Sequence, residues 1–170
     1  MMACCEAGIQ DMTEKHDIIL VKADVQPIRK REVFWTLSRS QVEHIVQDLA
    51  FCPVPFAQKH LAGLVAWQGL ALPVVSLERY FGFKPARGGE VKRRIVVKTT
   101  TTGEPQLISR LLVDVAYDVR IRPVAADCTP VKITDQLAAR GLKGAYEWEQ
   151  DALVLVPDLK MIASGGAVGR

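Results

Sequence analysis

The sequence predicts an all-β protein. Its apolar residues come in short runs rich in valine, isoleucine, leucine and aromatic residues; one segment alternates strictly with period two; and polar or glycine- and proline-bearing turns punctuate the runs at regular intervals. A chain of 170 residues with 49% hydrophobic content is long enough for one ordinary domain or for two small barrels sharing a core.

The clearest strand signal is Leu111 to Arg122. Every odd position (Leu111, Val113, Val115, Tyr117, Val119, Ile121) is apolar, and Asp114, Asp118, Arg120 and Arg122 stand among the even ones. The run exceeds an ordinary strand, which predicts a strong bend or two strands pivoting near Ala116, with the odd face toward the core. Shorter strands are expected over 17–23, 32–37, 41–46, 63–67, 70–75, 91–98, 105–108, 142–148 and 152–156. Turns fall at Pro27 to Arg31, at Gln68-Gly69, at Arg87 to Glu90 and over Thr99 to Glu104. Trp35 and Trp67 lie in alternating runs and are expected to pack inward, whereas Trp148, between Glu147 and Glu149, is expected half exposed.

Leu61 to Leu77 is uncharged for 17 residues, near the lower limit for a membrane span. Gln68-Gly69 and Pro73 interrupt it, and a strand, a tight turn and a second strand accommodate all three residues, so a buried hairpin is expected. Three short helices complete the reading. The first is Ser76 to Phe81, capped by Ser76 and ended by Gly82; the second is Ile133 to Arg140, capped by Thr134 and ended by Gly141. The third is Pro157 to Ile162, with Pro157 in its first turn and Leu159 and Ile162 inward. Residues 1–16 and 164–170 are expected to be flexible tails around a domain spanning 17–163.

The chemistry-bearing residues are sparse. Cys4, Cys5, Cys52 and Cys128 form no C-x-x-C pair and no cysteine and histidine cluster at zinc spacing, and the reading expects a reduced, cytoplasmic chain with no metal and no cofactor. Residues 1–17 hold Glu6, Asp11, Glu14 and Lys15 but no basic stretch followed by an apolar core, so no secretory signal is expected. A Cys52/His60 thiol dyad lacks any surrounding nucleophile signature, and Arg87-Gly88-Gly89-Glu90 lacks the lysine and hydroxyl residue of a phosphate loop. Asp114 and Asp118 fall on one strand face about 13 Å apart, too far to share a proton, and read as a solvated face or a protein-binding edge. A formal net charge of +3 is too small to drive phosphate-backbone binding, so no nucleic-acid partner is expected, although a small nucleic-acid-binding barrel is the competing reading. Arg29-Lys30-Arg31 and Lys92-Arg93-Arg94 make one basic patch only if the fold unites them.

Several segments in order resemble the CheW-like chemotaxis coupling family: Cys52-Pro53-Val54-Pro55, Leu61 to Val65, Gly69 to Leu77, Leu112-Val113-Asp114-Val115 with Asp118-Val119, Leu142 to Ala145, and Leu153 to Leu159. The likeness runs from about Val33 to Ile162. It implies two small SH3-like five-stranded β-barrels packed side by side, and a non-catalytic adaptor. Members of that family couple the cytoplasmic tip of a chemoreceptor to the regulatory domain of a histidine kinase, without inserting in the membrane. Four positions depart from the family pattern. Gln68 replaces an arginine before the turn glycine, His44 a glutamate, Ser76 an aspartate and Arg110 a glycine. The resemblance places one partner-binding surface at Trp67, Gln68 and Leu70 with His44, and another in the groove between barrels near Asp114 and the strand after Val91.

Overall fold

The computed structural model describes residues 17–86, 93–99, 109–116, 119–123, 127–149 and 151–165. Among the described residues, twelve strands, three short α-helices and one 3-10 turn (Arg39–Gln41) follow one another. In chain order the strands are β1 (Asp17–Lys22), β2 (Glu32–Ser38), β3 (Val42–Val46), β4 (Phe51–Cys52), β5 (Leu61–Trp67), β6 (Leu70–Val75), β7 (Arg93–Lys98), β8 (Arg110–Val115), β9 (Val119–Pro123), β10 (Thr129–Val131), β11 (Leu142–Trp148) and β12 (Ala152–Pro157). Helix α1 (Leu77–Phe81) follows β6, α2 (Asp135–Ala139) follows β10, and α3 (Leu159–Ala163) follows β12.

The strands form two six-stranded sheets, in the orders β10-β11-β12-β2-β1-β9 and β3-β7-β8-β6-β5-β4. The all-β, two-unit expectation holds, with one strand more per unit than the five expected. The second sheet is one continuous stretch, β3 to β8, inserted between the two parts of the first. That insertion makes β12 run parallel to β2 in the first sheet, beside otherwise antiparallel pairs. In the second sheet, β8 pairs parallel to β6.

Alternation sends neighbouring residues of one strand to different cores. Ile19, Val21, Val33, Trp35 and Leu155 of the first sheet meet Val75, Ile95, Val97, Leu111 and Val113 of the second in one shared cluster. The intervening residues build private clusters: Leu20, Phe34, Trp148 and Val154 in the first sheet, and Val65, Leu72, Val74, Val96 and Leu112 in the second. Strands buried on both faces carry continuous apolar runs, which is why Ile-Ile-Leu-Val, Val-Phe-Trp and Ile-Val-Val show little alternation.

The long alternating run divides at the predicted pivot. Its first half, β8, belongs to the second sheet and its second half, β9, to the first. Leu111, Val113 and Val115 are buried as expected, but Ile121 is 54% exposed, because β9 is an edge strand with a neighbour only on its β1 side. Trp148 corrects the sequence reading as well: it is 9% exposed and packs with Leu20, Phe34 and Val154.

The caps follow the sequence closely. Ser76 Oγ accepts from the Arg79 amide at the start of α1, and Gly82 leaves the helix with φ at 82°. Thr134 caps α2. At α3 the cap is Asp158, whose carboxylate accepts from the Lys160 and Met161 amides, while Pro157 closes β12 instead of entering the helix. The expected strand over 105–108, the turn over 87–90, Asp118 and the two outer tails (1–16 and 166–170) lie outside the described residues.

Candidate partner-binding surfaces

The β5–β6 hairpin closes through Gln68 and Gly69, whose φ angles of 47° and 80° define a primed two-residue turn. Such a turn matches the twist of the flanking strands and pairs Trp67 with Leu70 across its base. The hairpin is not buried throughout, as the sequence suggested. Its tip is open, with Leu70 51% exposed and Ala66 and Ala71 also facing outward.

His44 reaches this tip from the other end of the sheet. Strands β3 and β5 are not neighbours, yet the curl of the sheet brings the His44 ring to 5.2 Å from the Trp67 ring, tilted by 54°. A register shift between Val42 and His44 lets both His44 and Ile45 face solvent. The predicted trio His44, Trp67 and Leu70 therefore forms one surface. Gln68 stands exposed at the apex, and no hydrogen bond among the described residues joins it to His44.

Beside this tip lies a shallow apolar depression of about 590 Å³, lined by Phe51, Cys52, Leu64, Ala66, Leu70 and Ala71. Sequence reasoning missed β4, which forms one wall, because two residues carry no periodicity. Gly63 is required there: a β-carbon on it would stand 2.4 Å from the Cys52 carbonyl oxygen. The Cys52 thiol is exposed and donates at 3.9 Å to the Pro53 carbonyl, while His60 packs edge-on against Tyr80. No hydrogen bond among the described residues joins Cys52 and His60.

Asp114 does not stand on a solvated face, one of the two readings that its alternation allowed; it lines a groove, where the resemblance had put it. Its side chain is 11% exposed and pairs with Arg94 at 3.0 Å. Burial pushes its carboxyl above the ordinary aspartate range, with the Arg94 charge opposing. It lines a groove of about 310 Å³ together with Asp24, Glu78, Arg79 and Phe51. Arg94 also lies over the Phe51 ring at 5.2 Å. Phe51 thus belongs to both the groove and the apolar depression, and joins them into a continuous strip.

Glu78 forms the floor of this groove and escaped sequence reasoning, since an acid in a short helix ordinarily faces water. Here it is 7% exposed and fully engaged. It accepts from the Asp24 amide at 3.2 Å, from Trp35 Nε1 at 3.0 Å and from Ser76 Oγ at 3.0 Å. The Ser76 departure therefore supplies both the helix cap and a donor to Glu78. Arg110 has its own partner: it forks onto Glu43 at 2.6 and 3.1 Å, and this bond holds the Glu43 carboxyl below its ordinary range against the effect of burial. A carboxylate thus stands one residue before His44, tied to the arginine that replaces the family glycine.

The two basic triplets stay apart. Arg29 to Arg31 precede β2 in the first sheet, whereas Arg94 lies in β7 of the second; Arg31 is paired to Glu147 and Arg94 to Asp114. Lys92 lies outside the described residues. No helix among the described residues is long and apolar enough to cross a membrane.

Comparison with known proteins agrees with this architecture. No curated protein matches the chain significantly. Among solved structures, the scaffolding protein TtCheW from Thermoanaerobacter tengcongensis superposes with a TM-score of 0.63 at 16% identity, covering 87% of this chain and 92% of that one. The family model of the CheW-like domain matches residues 30–166. The chain therefore belongs to the CheW-like domain family, whose members are non-catalytic scaffolding proteins.

Proposed function

We propose that this protein is a cytoplasmic adaptor that couples the cytoplasmic tip of a chemoreceptor to the regulatory domain of a histidine kinase. The observation that carries this reading is the continuous strip from the exposed Leu70, past Phe51, into the groove at Asp114. An adaptor acts by holding two partners at once and biasing their conformations, which requires surfaces and no reacting groups. The hairpin tip with His44, Trp67 and Leu70 suits a barrel-on-barrel contact with the kinase domain. The groove, walled by second-sheet strands through Phe51, Ala62, Arg94 and Asp114 and lined also by Glu78 of α1 and by Asp24 beyond β1, suits an elongated receptor segment. The competing nucleic-acid reading finds little support, because Arg29 to Arg31 precede a strand of the first sheet while Arg93 and Arg94 lie in the second, and Arg31 and Arg94 are each tied up in an ion pair.

Size-exclusion chromatography of the protein with the kinase regulatory domain and receptor cytoplasmic fragments of its own organism tests the proposal. A co-eluting ternary complex is the expected result. Failure to associate with either component, at concentrations well above those typical of weak signalling contacts, contradicts it.

A further inference from the structure

A second apolar concavity lies in the first sheet, away from the strip described above. Its walls come from Ile28, Phe83, Val131, Ile133, Leu137 and Leu155, and its volume is about 170 Å³. An apolar cavity of about 150 Å³ accommodates benzene, so this one holds a single bulky side chain. Five of these wall residues, Ile28, Phe83, Val131, Ile133 and Leu137, are only partly buried. Helix α2 along its flank has no buried residue at all.

The mouth is basic. Arg29, Arg31 and Lys132 line it, opposed by the single acid Glu147, which is held at 3.1 Å by Arg31. Arg29 and Lys30 are the central residues of a tight turn in which Ile28 and Arg31 exchange two backbone hydrogen bonds of 3.0 and 2.9 Å. Both have positive φ, 51° and 67°. Glycine or asparagine occupies such positions at least cost, and two long cationic residues there are conformationally expensive. At Arg29 that cost is understandable if its cation is needed at this mouth.

We infer that the cleft beside the Ile28–Arg31 turn is a docking site for an acidic peptide segment bearing one bulky apolar anchor, supplied by a partner protein. The anchor side chain fills the cleft, and flanking carboxylates meet Arg29 and Lys132 at the rim. An anchor in a desolvated pocket supplies most of the affinity of such a contact, while the rim charges set its selectivity and on-rate.

The test is selection from a random dodecapeptide display library against the immobilised full chain, followed by fluorescence polarisation of the enriched peptides. Enrichment of sequences with one Leu, Ile, Phe or Trp among Asp and Glu is expected, with binding that weakens as salt is raised. The double substitution Arg29→Glu with Lys132→Glu changes only exposed residues and is expected to weaken these peptides at least about tenfold. Leu137→Trp, on a helix without buried positions, fills the cleft and is expected to remove binding while leaving the circular dichroism spectrum unchanged. Leu70→Asp, in the other sheet, is expected to leave the same peptides bound. Enriched peptides without acidic residues, binding indifferent to both cleft variants, or no enrichment above an empty matrix would each overturn the inference.

Discussion

The two sheets bury similar clusters but present opposite surfaces. The second sheet and its loops hold Ile45, Phe51, Phe56 and Leu70, four of the five large hydrophobic side chains exposed among the described residues, and Phe51 and Leu70 line a shallow depression. The first sheet holds only Ile121 of that set, and its apolar concavity is recessed behind a basic rim. Apolar area spread over a convex barrel suits another barrel, whereas a recess with cations at its mouth suits a single inserted side chain. The difference teaches that the paired fold gives one small protein two unlike contact chemistries on a common core.

That common core makes the first prediction, and the largest. Trp35 is 1% exposed, stacks on Phe81 at 5.3 Å and donates to Glu78, within the cluster both sheets share. Trp35→Ala is expected to cost about 3–5 kcal/mol, and urea unfolding followed by far-ultraviolet circular dichroism is expected to remain a single transition. Two separated transitions would mean that the sheets fold as independent units. Leu112→Ala, in the private cluster of the second sheet, sharpens the comparison: it is expected to lower the same single transition by about 2–5 kcal/mol.

The surface contrast is broken or upheld by Leu70→Asp. This substitution changes an exposed residue, so stability should hold, while affinity for the kinase regulatory domain is expected to fall by about 2 kcal/mol, roughly thirtyfold, in calorimetry. A smaller effect is expected at the ion pair behind the tip. Arg110→Ala removes the fork onto Glu43 and is expected to cost about 1 kcal/mol. The Glu43 carboxyl is lowered in the folded state, so its contribution is present above the ordinary glutamate pKa and is lost as pH falls through the lower folded value. Glu43→Gln is expected to remove that acid-limb dependence from stability measured by urea titration at a series of pH values. The smallest effect is expected from Gln68→Arg, which restores the family arginine at the exposed apex: binding to the native partner should weaken a few-fold, and unchanged affinity would show that the apex does not select partners.

Most strands were legible because β-branched runs and turn residues report local backbone preference, and β6 and β11 match their expected spans to the residue. The short strands β4 and β10 were not, since two or three residues define no period. Asp114 illustrates a second limit. Its position on a charged alternation allows solvent exposure, but Arg94 of the neighbouring strand and the groove that it lines with Phe51, Glu78 and Arg79 exist only once distant segments are folded together. Ile121 fails in the opposite sense, exposed at an edge that no local pattern announces. The meeting of His44 with Trp67 also depends on the curl of a whole sheet. The resemblance to a family placed both residues on one surface, and the fold supplies the physical reason.

On the function proposed above, the hairpin tip of the second sheet receives the kinase regulatory domain. Amide chemical-shift mapping of isotopically labelled protein, titrated with that unlabelled domain, tests it most directly. Perturbations are expected to concentrate at 44–45, 51–52 and 64–71, with the Ile28–Arg31 turn and β10 unmoved. Perturbations confined to the first sheet, with His44, Trp67 and Leu70 unchanged, would contradict it.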